Sequence, residues 1–483
     1  MTRSAGEVHR LYIGGEWVEG GHVADDINPS DQEDVVGRYA QADASQVSTA
    51  VEAANAAAPL WAASTPQQRF DALDFVGSEI LARKEELGRL LAMEEGKTLP
   101  ESIAEVARAG SIFKFFAGEA IRTGGEHIPS VRPGVEIDML REPLGVVGLI
   151  TPWNFPAAIP AWKTAPALAY GNTVVLKPAE LVPGSAWAIA EIISRSGLPK
   201  GAFNLITGRG SVLGEALVQH PGVAGISFTG SVAVGTTLAA KCAGRLARVQ
   251  LEMGGKNPLV VLDDADLTVA VNAAVNGSYF STGQRCTASS RLIVTAGIQA
   301  RFIRAIKERL ASLRVDDALA PGTDIGPVVD QAQLDKDLEY IALGTREGGT
   351  LECGGDRPQR RTKGFYLSPA LFTGTTSGMR LNREEVFGPV AAVIAAKDYE
   401  EALALANDTP FGLCAGVCTT SLKHASHFRK KVQAGMVMVN LPTAGVDYHV
   451  PFGGKKGSSY GTREQGRYAL EFYTTVKTCY TAP

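Results

Sequence analysis

From Leu144 onward the chain alternates short, continuously apolar runs with segments of helical period. The runs are Gly145–Ile150, Thr173–Leu176, Phe203–Ile206, Gly225–Phe228, Val249–Leu251 and Leu259–Leu262. A strand that is apolar at consecutive positions is buried on both faces, as in a parallel sheet. Alternation of such strands with helices predicts an α/β fold with a doubly wound sheet. A second series, Arg291–Val294, Ala391–Ala395 and Met436–Val439, again with helical segments between, predicts a second α/β lobe.

Before this region the period is helical. Val47, Val51, Ala54, Ala58 and Trp61 fall on one helical face. Ser64-Thr65-Pro66 reads as a helix start, with Pro66 at the first helical position. Phe70, Leu73, Val76 and Ile80 continue its apolar face. The stretch RTGGEHIPSVRPGVEIDML after Ile121 reads as extended structure, a protruding hairpin. Near the C-terminus, Phe472–Val476 reads as a strand. Glycine accounts for 53 of 483 residues, above the usual share of about 7%, which implies many tight turns or close backbone approaches.

Several classes are disfavoured. Lys+Arg 47 against Asp+Glu 51 gives no basic excess for nucleic-acid binding. Six cysteines without a CxxC pair favour reduced thiols and a cytoplasmic setting. The N-terminus MTRSAGEVHR lacks an apolar signal core, and no apolar run is long enough for a membrane span. Gly457-Ser-Ser-Tyr-Gly461 matches the hydrolase pattern GxSxG, but no histidine follows it, so a turn is the better reading. Gly230–Gly235 has P-loop spacing with Thr236 where Lys is required. Gly208–Gly214 is one residue too long for GxGxxG. His424/His427 and Cys414/Cys418 have helical spacings but no further ligand nearby, so no metal is expected.

The remaining motifs carry chemistry. Leu267, Val271, Ala274, Val275 and Ser278 define an amphipathic helix that Gly283 breaks, leaving Cys286 in a loop where a thiol can be exposed and activated. Alone, such a cysteine is as readily a small buried hydrophobe. Glu252 follows an apolar strand and precedes Gly254 and Gly255. It suits a general base that activates water, or an ion pair with a nearby lysine. Asn154, between Pro152 and Pro156, can donate its amide N–H to a developing oxyanion, or simply make a turn. Lys177 and Glu180 follow a strand and can bind ribose hydroxyls or phosphate. Ser227-Phe228-Thr229-Gly230-Ser231 ends a strand and opens a helix whose N–H groups favour phosphate. Glu385 is a second ribose acceptor, and Phe387 could pack on a nicotinamide ring.

Taken together, PWNFP, KPAE, SFTGS, QLEMGGKNP, FSTGQRCTA, EEVFGPV and PFGGKK, in this order, resemble the NAD(P)-dependent aldehyde dehydrogenase superfamily. The likeness runs from GGEWV near Gly14 to Phe472–Lys477. It implies an aldehyde dehydrogenase-like fold. A Rossmann-like cofactor domain would comprise 1–121 and 142–253, and a catalytic domain 254–455. Bridging elements at 122–141 and 456–483 would pair subunits in a homodimer or homotetramer. It implies Cys286 as nucleophile, Glu252 as base and Asn154 as oxyanion donor beside the Cys286 N–H. Lys177, Glu180 and Glu385 would hold the riboses, and Gly230, Ser231 and its helix the pyrophosphate. Ile150, Trp153, Gly210, Phe228 and Val234 would line the adenosine and linker, and Met253, Gly254 and Phe387 the nicotinamide. The cofactor is NAD or NADP, with NAD favoured because Glu180 would repel a 2′-phosphate.

The loop from Asn440 to Gly454 is similar to that of α-ketoglutaric semialdehyde (2,5-dioxopentanoate) dehydrogenases. Succinate-semialdehyde enzymes often carry Arg where this chain has Trp162. An oxo-acid substrate needs a cation or donor, for which Arg285, Tyr448 and His449 are the candidates. Phe155, Trp162 and Phe280 could equally line a pocket for an aromatic or aliphatic aldehyde.

Overall fold

The computed structural model describes residues 7–482. Two sheets carry the architecture. The first has eight strands, in the order Ser459–Tyr460, Arg248–Met253, Gly225–Gly230, Val146–Ile150, Thr173–Lys177, Phe203–Leu205, Leu11–Ile13 and Glu16–Val18. Its five central strands run parallel, and antiparallel strands close both edges. The continuous apolar runs divide by alternation. Val147, Leu149, Val174 and Leu176 pack into one core, whereas Val146, Ile150, Val175 and Ile226 pack into another on the opposite face.

The second sheet has seven strands, in the order Thr350–Cys353, Ala370–Thr375, Val390–Ala396, Arg291–Thr295, Pro258–Val261, Cys414–Cys418 and Met436–Val439. All pairings but the first are parallel. Leu259, Val261, Leu292 and Val294 face one core; Val260, Ile293, Ile394 and Val417 face the other. The run at Leu259–Leu262, grouped by sequence with the first series, therefore belongs to the second sheet. Gly254 and Gly255 let the chain turn out of one sheet and Pro258 starts the next.

Helices Ala44–Ala62 and Pro66–Ala82 start where their caps predict, Thr65 accepting from Gln68 N–H at 3.2 Å. Helix Leu99–Arg122 packs along Pro66–Ala82 and along Ala158–Ala169, the helix after PWNFP. Strands Glu126–Pro129 and Glu136–Pro143 form an antiparallel hairpin, joined by Thr474–Thr481. The expected strand at Phe472–Val476 is half wrong. Leu470–Tyr473 is a helical turn that buries Phe472 and Tyr473, and extension begins at Thr474.

Candidate active site

In the first sheet the strand order reverses between Val146–Ile150 and Gly225–Gly230. A crevice opens beyond the carboxyl ends of strands at such a point, and ligands bind there. Ile150 leads into PWNFP, and Gly230 into helix Val232–Gly244, capped by Ser231. A cleft of ≈ 410 Å³ is walled by Trp153, Lys177, Glu180, Arg209 and Gly210. Glu180 Oε2 accepts from Gly210 N–H at 3.1 Å, and Lys177 Nζ donates to Gly208 O at 3.2 Å. Burial lowers Lys177 to about 8 against the pull of Glu180. Ile150, Phe228 and Met253 are buried, while Val234 is exposed on its helix. A Cβ on Gly235 would fall 2.6 Å from Met253 Sδ, so that helix rides directly on the strand below.

Helix Leu267–Tyr279 delivers the Cys286 loop. Ser281, Thr282 and Gly283 follow it in the left-handed region, with φ 50, 56 and 67. Such a run costs strain and persists only where surroundings over-determine it. Here a Cβ on Gly283 would meet Gly388 O at 2.2 Å. The Cys286 loop is thus pressed against the loop that carries Glu385 and Phe387. Phe387, at φ 69, sets its ring edge-on to Trp153 with centroids 5.3 Å apart. Glu385 Oε1 accepts from Gly255 N–H at 2.8 Å, and any side chain at Gly254 would collide with its carboxylate. Asn154 Nδ2 donates to Gln284 O at 2.9 Å, two residues before Cys286. Asn257 Nδ2 donates to Cys286 O at 2.8 Å and its Oδ1 accepts from Cys414 N–H at 2.9 Å.

Cys286 is half-buried. Burial first, then Glu385 and Glu252, push its thiol up to about 12. The free protein therefore holds a thiol at neutral pH. Alkylation by iodoacetamide, which needs the thiolate, should rise about tenfold per pH unit between pH 7 and 9. Glu385→Gln should accelerate it at pH 8, since removing a negative charge beside the sulfur lowers the thiol pKa. Equal rates in the two proteins would show that Glu385 does not govern the thiol.

Glu252 lies near the end of strand Arg248–Met253 and is 2% exposed. Its Oε2 accepts from Ser459 Oγ at 2.6 Å, and that hydroxyl accepts from Gly454 N–H at 2.6 Å. Oε1 has no partner. Burial, then Glu464, raise the carboxyl well above its usual range, opposed by Ser459, Lys163 and Arg463. Glu464 is ion-paired with Lys163, and both are buried. Ser459 and Glu464 escaped the sequence reading. Ser459 is the second serine of the Gly457–Gly461 turn, and only its edge-strand pairing with Glu252 reveals its partner.

A second group was also missed. Lys97 Nζ donates to Glu105 Oε2 at 2.6 Å and to Asn154 O at 2.8 Å, and lies 3.9 Å over the Phe155 ring. Glu105 Oε1 accepts from Ala157 and Ala158 N–H at 3.0 and 3.1 Å. A buried ion pair thereby holds both ends of the turn bearing Asn154.

The substrate candidates fare unevenly. Arg285 is turned away into a structural network. It donates to Glu101 Oε1 at 3.1 Å, Ser281 Oγ at 2.9 Å and Asn276 O at 3.3 Å. Its position in sequence, next to Cys286, gave no sign of Glu101 on another helix. Tyr448 and His449 are exposed, with Tyr448 edge-on to Phe115 at 6.2 Å. Trp162 is buried against Phe452, ring centroids 5.3 Å apart. Among the described residues no group of three His, Cys, Asp or Glu could hold a metal, and no helix is long and apolar enough to cross a membrane.

The profile of the Aldehyde dehydrogenase family matches residues 17–479. The chain is similar to alpha-ketoglutaric semialdehyde dehydrogenase of Bacillus subtilis, 43% identical over 98% of each chain. It is similar to 2,5-dioxopentanoate dehydrogenase of Saccharolobus solfataricus, 42% identical over 96% of this chain and 98% of the other. Among solved structures, betaine aldehyde dehydrogenase from Staphylococcus aureus in complex with NAD+ superposes with a TM-score of 0.96, at 36% identity, covering 98% of this chain and 95% of that one.

Proposed function

The chain belongs to the aldehyde dehydrogenase family, and from that premise we propose that it oxidises 2,5-dioxopentanoate to 2-oxoglutarate with NAD+, through a thioester on Cys286. The observation that carries the chemistry is the convergence of Cys286, Asn154 and Glu252 from three separate elements. The oxo-acid substrate is supported by the names of the Bacillus and Saccharolobus relatives.

The crevice fits a dinucleotide. The hydroxyls of Thr151 and Thr229, at the carboxyl ends of the two strands that flank the reversal, are buried without partners. Lys177, Glu180 and Glu385 would hold the riboses, and Gly230, Ser231 and the N–H groups of Val232–Gly244 the pyrophosphate. Ile150, Trp153, Gly210, Phe228 and Val234 would line the adenosine and linker; Met253, Gly254 and Phe387 would flank the nicotinamide. When bound, the cofactor supplies the hydride acceptor. Glu180 in the ribose pocket favours NAD over NADP.

Cys286 sulfur adds to the aldehyde carbon. Asn154 Nδ2 and the Cys286 N–H face the oxyanion that forms; one such donor is worth about 3 kcal/mol of barrier. Asn154 must turn its amide from Gln284 O to do so. The thioester left on Cys286 is cleaved by water that Glu252 deprotonates, and a base at that place directs the product to a free acid. We further assign 1–121 with 142–253 to cofactor binding and 254–455 to catalysis. The hairpin sheet would pair subunits in a cytoplasmic dimer or tetramer; its exposed Ile128, Leu140, Val476 and Tyr480 support that pairing.

One specific feature favours a second substrate class. The tilted Trp162–Phe452 ring pair would suit an apolar aldehyde as well as the stem of an oxo-acid. Initial rates of NADH and NADPH formation with 2,5-dioxopentanoate, succinate semialdehyde, benzaldehyde and hexanal decide between them. We expect kcat/KM for 2,5-dioxopentanoate to lead by at least tenfold, about 1.4 kcal/mol of transition-state binding. A lead for benzaldehyde or hexanal would assign the pocket to apolar aldehydes instead.

A further inference from the structure

Among the buried N–H donors that lack an acceptor are Arg108 Nε, Gln465 Nε2 and Trp162 Nε1. Arg108 is on helix Leu99–Arg122, three residues after the Glu105 that holds the Asn154 turn. Its Nη2 donates to Gln465 Oε1 at 3.1 Å and its Nη1 to Val446 O. Both acceptors are neutral. The nearby carboxylates are Asp447 and Glu105, and Glu105 is already engaged by Lys97, Ala157 and Ala158. The half-buried Arg108 thus carries its charge inward without a carboxylate hydrogen-bonded to it. Guanidinium remains protonated there, and a buried charge is costly unless paired.

The cluster shares its apolar neighbours with the nucleophile. Val446, whose carbonyl Arg108 holds, packs on Leu413, Cys414 and Phe452, the same group against which Cys286 packs. The Phe452 ring lies tilted against Trp162, another residue with an unpartnered donor. Phe452 also exchanges backbone hydrogen bonds with Glu464, at 2.7 and 3.0 Å, next to Gln465. These three unpartnered donors therefore border the apolar group around Phe452. Donors without acceptors are what an anion requires.

We propose that Arg108, with Gln465 and Trp162 Nε1, binds the distal carboxylate of an oxo-acid aldehyde whose formyl carbon lies at Cys286. This rests on the oxo-acid reading above and names the residues that enforce it.

The test compares wild type with Arg108→Met on 2,5-dioxopentanoate, succinate semialdehyde and hexanal. Loss of a charge-assisted contact should lower kcat/KM for 2,5-dioxopentanoate by about 100-fold, mainly through KM, and leave hexanal within about threefold. Arg108→Gln keeps a donor for Val446 O and removes the charge. It should show the same selective loss if Arg108→Met folds poorly. As a readout separate from turnover, 2-oxoglutarate should slow iodoacetamide alkylation of Cys286 in wild type and not in Arg108→Gln. Equal losses on 2,5-dioxopentanoate and hexanal would make Arg108 a clamp on the Val446 loop and overturn the assignment, as would no loss on either. A wild type that prefers neither carboxylated aldehyde over hexanal would sink the oxo-acid reading and this assignment together. A wild type with that preference and an insensitive variant would sink the assignment alone.

Discussion

Glu252→Gln should retain a burst of about one reduced cofactor per active site and lose about 10²–10⁴-fold in steady-state turnover, the range for a positioned general base. Acylation needs Cys286 as the thiolate, its proton lost to solvent, together with Asn154 and the hydride acceptor; removing the Glu252 charge, which helps hold the thiol protonated, does not oppose that step. Deacylation needs a water made nucleophilic, and Gln cannot take its proton. Glutamine keeps the acceptor for Ser459 Oγ, so the strand edge and the Gly453–Gly454 turn stay in place. The wild-type pH profile checks the same assignment. Burial and Glu464 raise the Glu252 carboxyl well above its usual range. Its basic form therefore accumulates only as pH rises through that raised value. Steady-state turnover should climb with pH on its acidic limb, while the burst amplitude in Glu252→Gln should lack that limb. Stopped-flow absorbance of the reduced nicotinamide separates the two phases. Normal turnover in Glu252→Gln would remove Glu252 as the base.

The legible part of the molecule was the part written in local pattern. Apolar runs marked strands, and the polar residue just past each run marked the ligand side of the sheet, which is why Glu252, Lys177 and Asn154 stood out. What stayed hidden were partners supplied from far along the chain. Ser459 reaches Glu252 across 207 residues, and Lys97 reaches Asn154 across 57. Neither spacing carries a periodic signal. Arg285 shows the converse case. Adjacency to Cys286 made it a candidate for substrate binding, yet residues next to each other in a loop point in different directions, and Glu101 draws its guanidinium away. Arg108 is one of a run of polar and apolar residues on a helix. Only its orphaned donor together with its place beside the Val446 and Phe452 group in the folded state singles it out.

Lys97→Met should be the most destabilising of the substitutions outside the catalytic trio. Lys97 is 2% exposed and faces Glu105 at 2.6 Å and Glu95 at 3.9 Å. Removing one partner of a buried pair leaves an uncompensated charge and typically costs about 3–5 kcal/mol. Methionine conserves the apolar stem that covers the Phe155 ring, so the loss is electrostatic rather than a cavity. Its pH dependence has a definite sign. Burial already raises Glu95 to about 8, with Lys97 opposing. Without Lys97 that carboxyl rises further, so the folded state holds a proton that the unfolded chain, with an ordinary Glu near 4.3, releases. Stability is retained at low pH and lost as pH climbs through the folded-state value. The variant should therefore melt closer to wild type at pH 6 than at pH 8.5. Activity should fall with it, because Lys97 Nζ also holds Asn154 O, and a displacement of about 1 Å in the oxyanion donor costs about 10²-fold. Thermal melts at the two pH values, with kcat measured alongside, check both consequences. A variant with wild-type melting at pH 8.5 and undiminished kcat would mean that the Asn154 turn holds its shape without the buried pair.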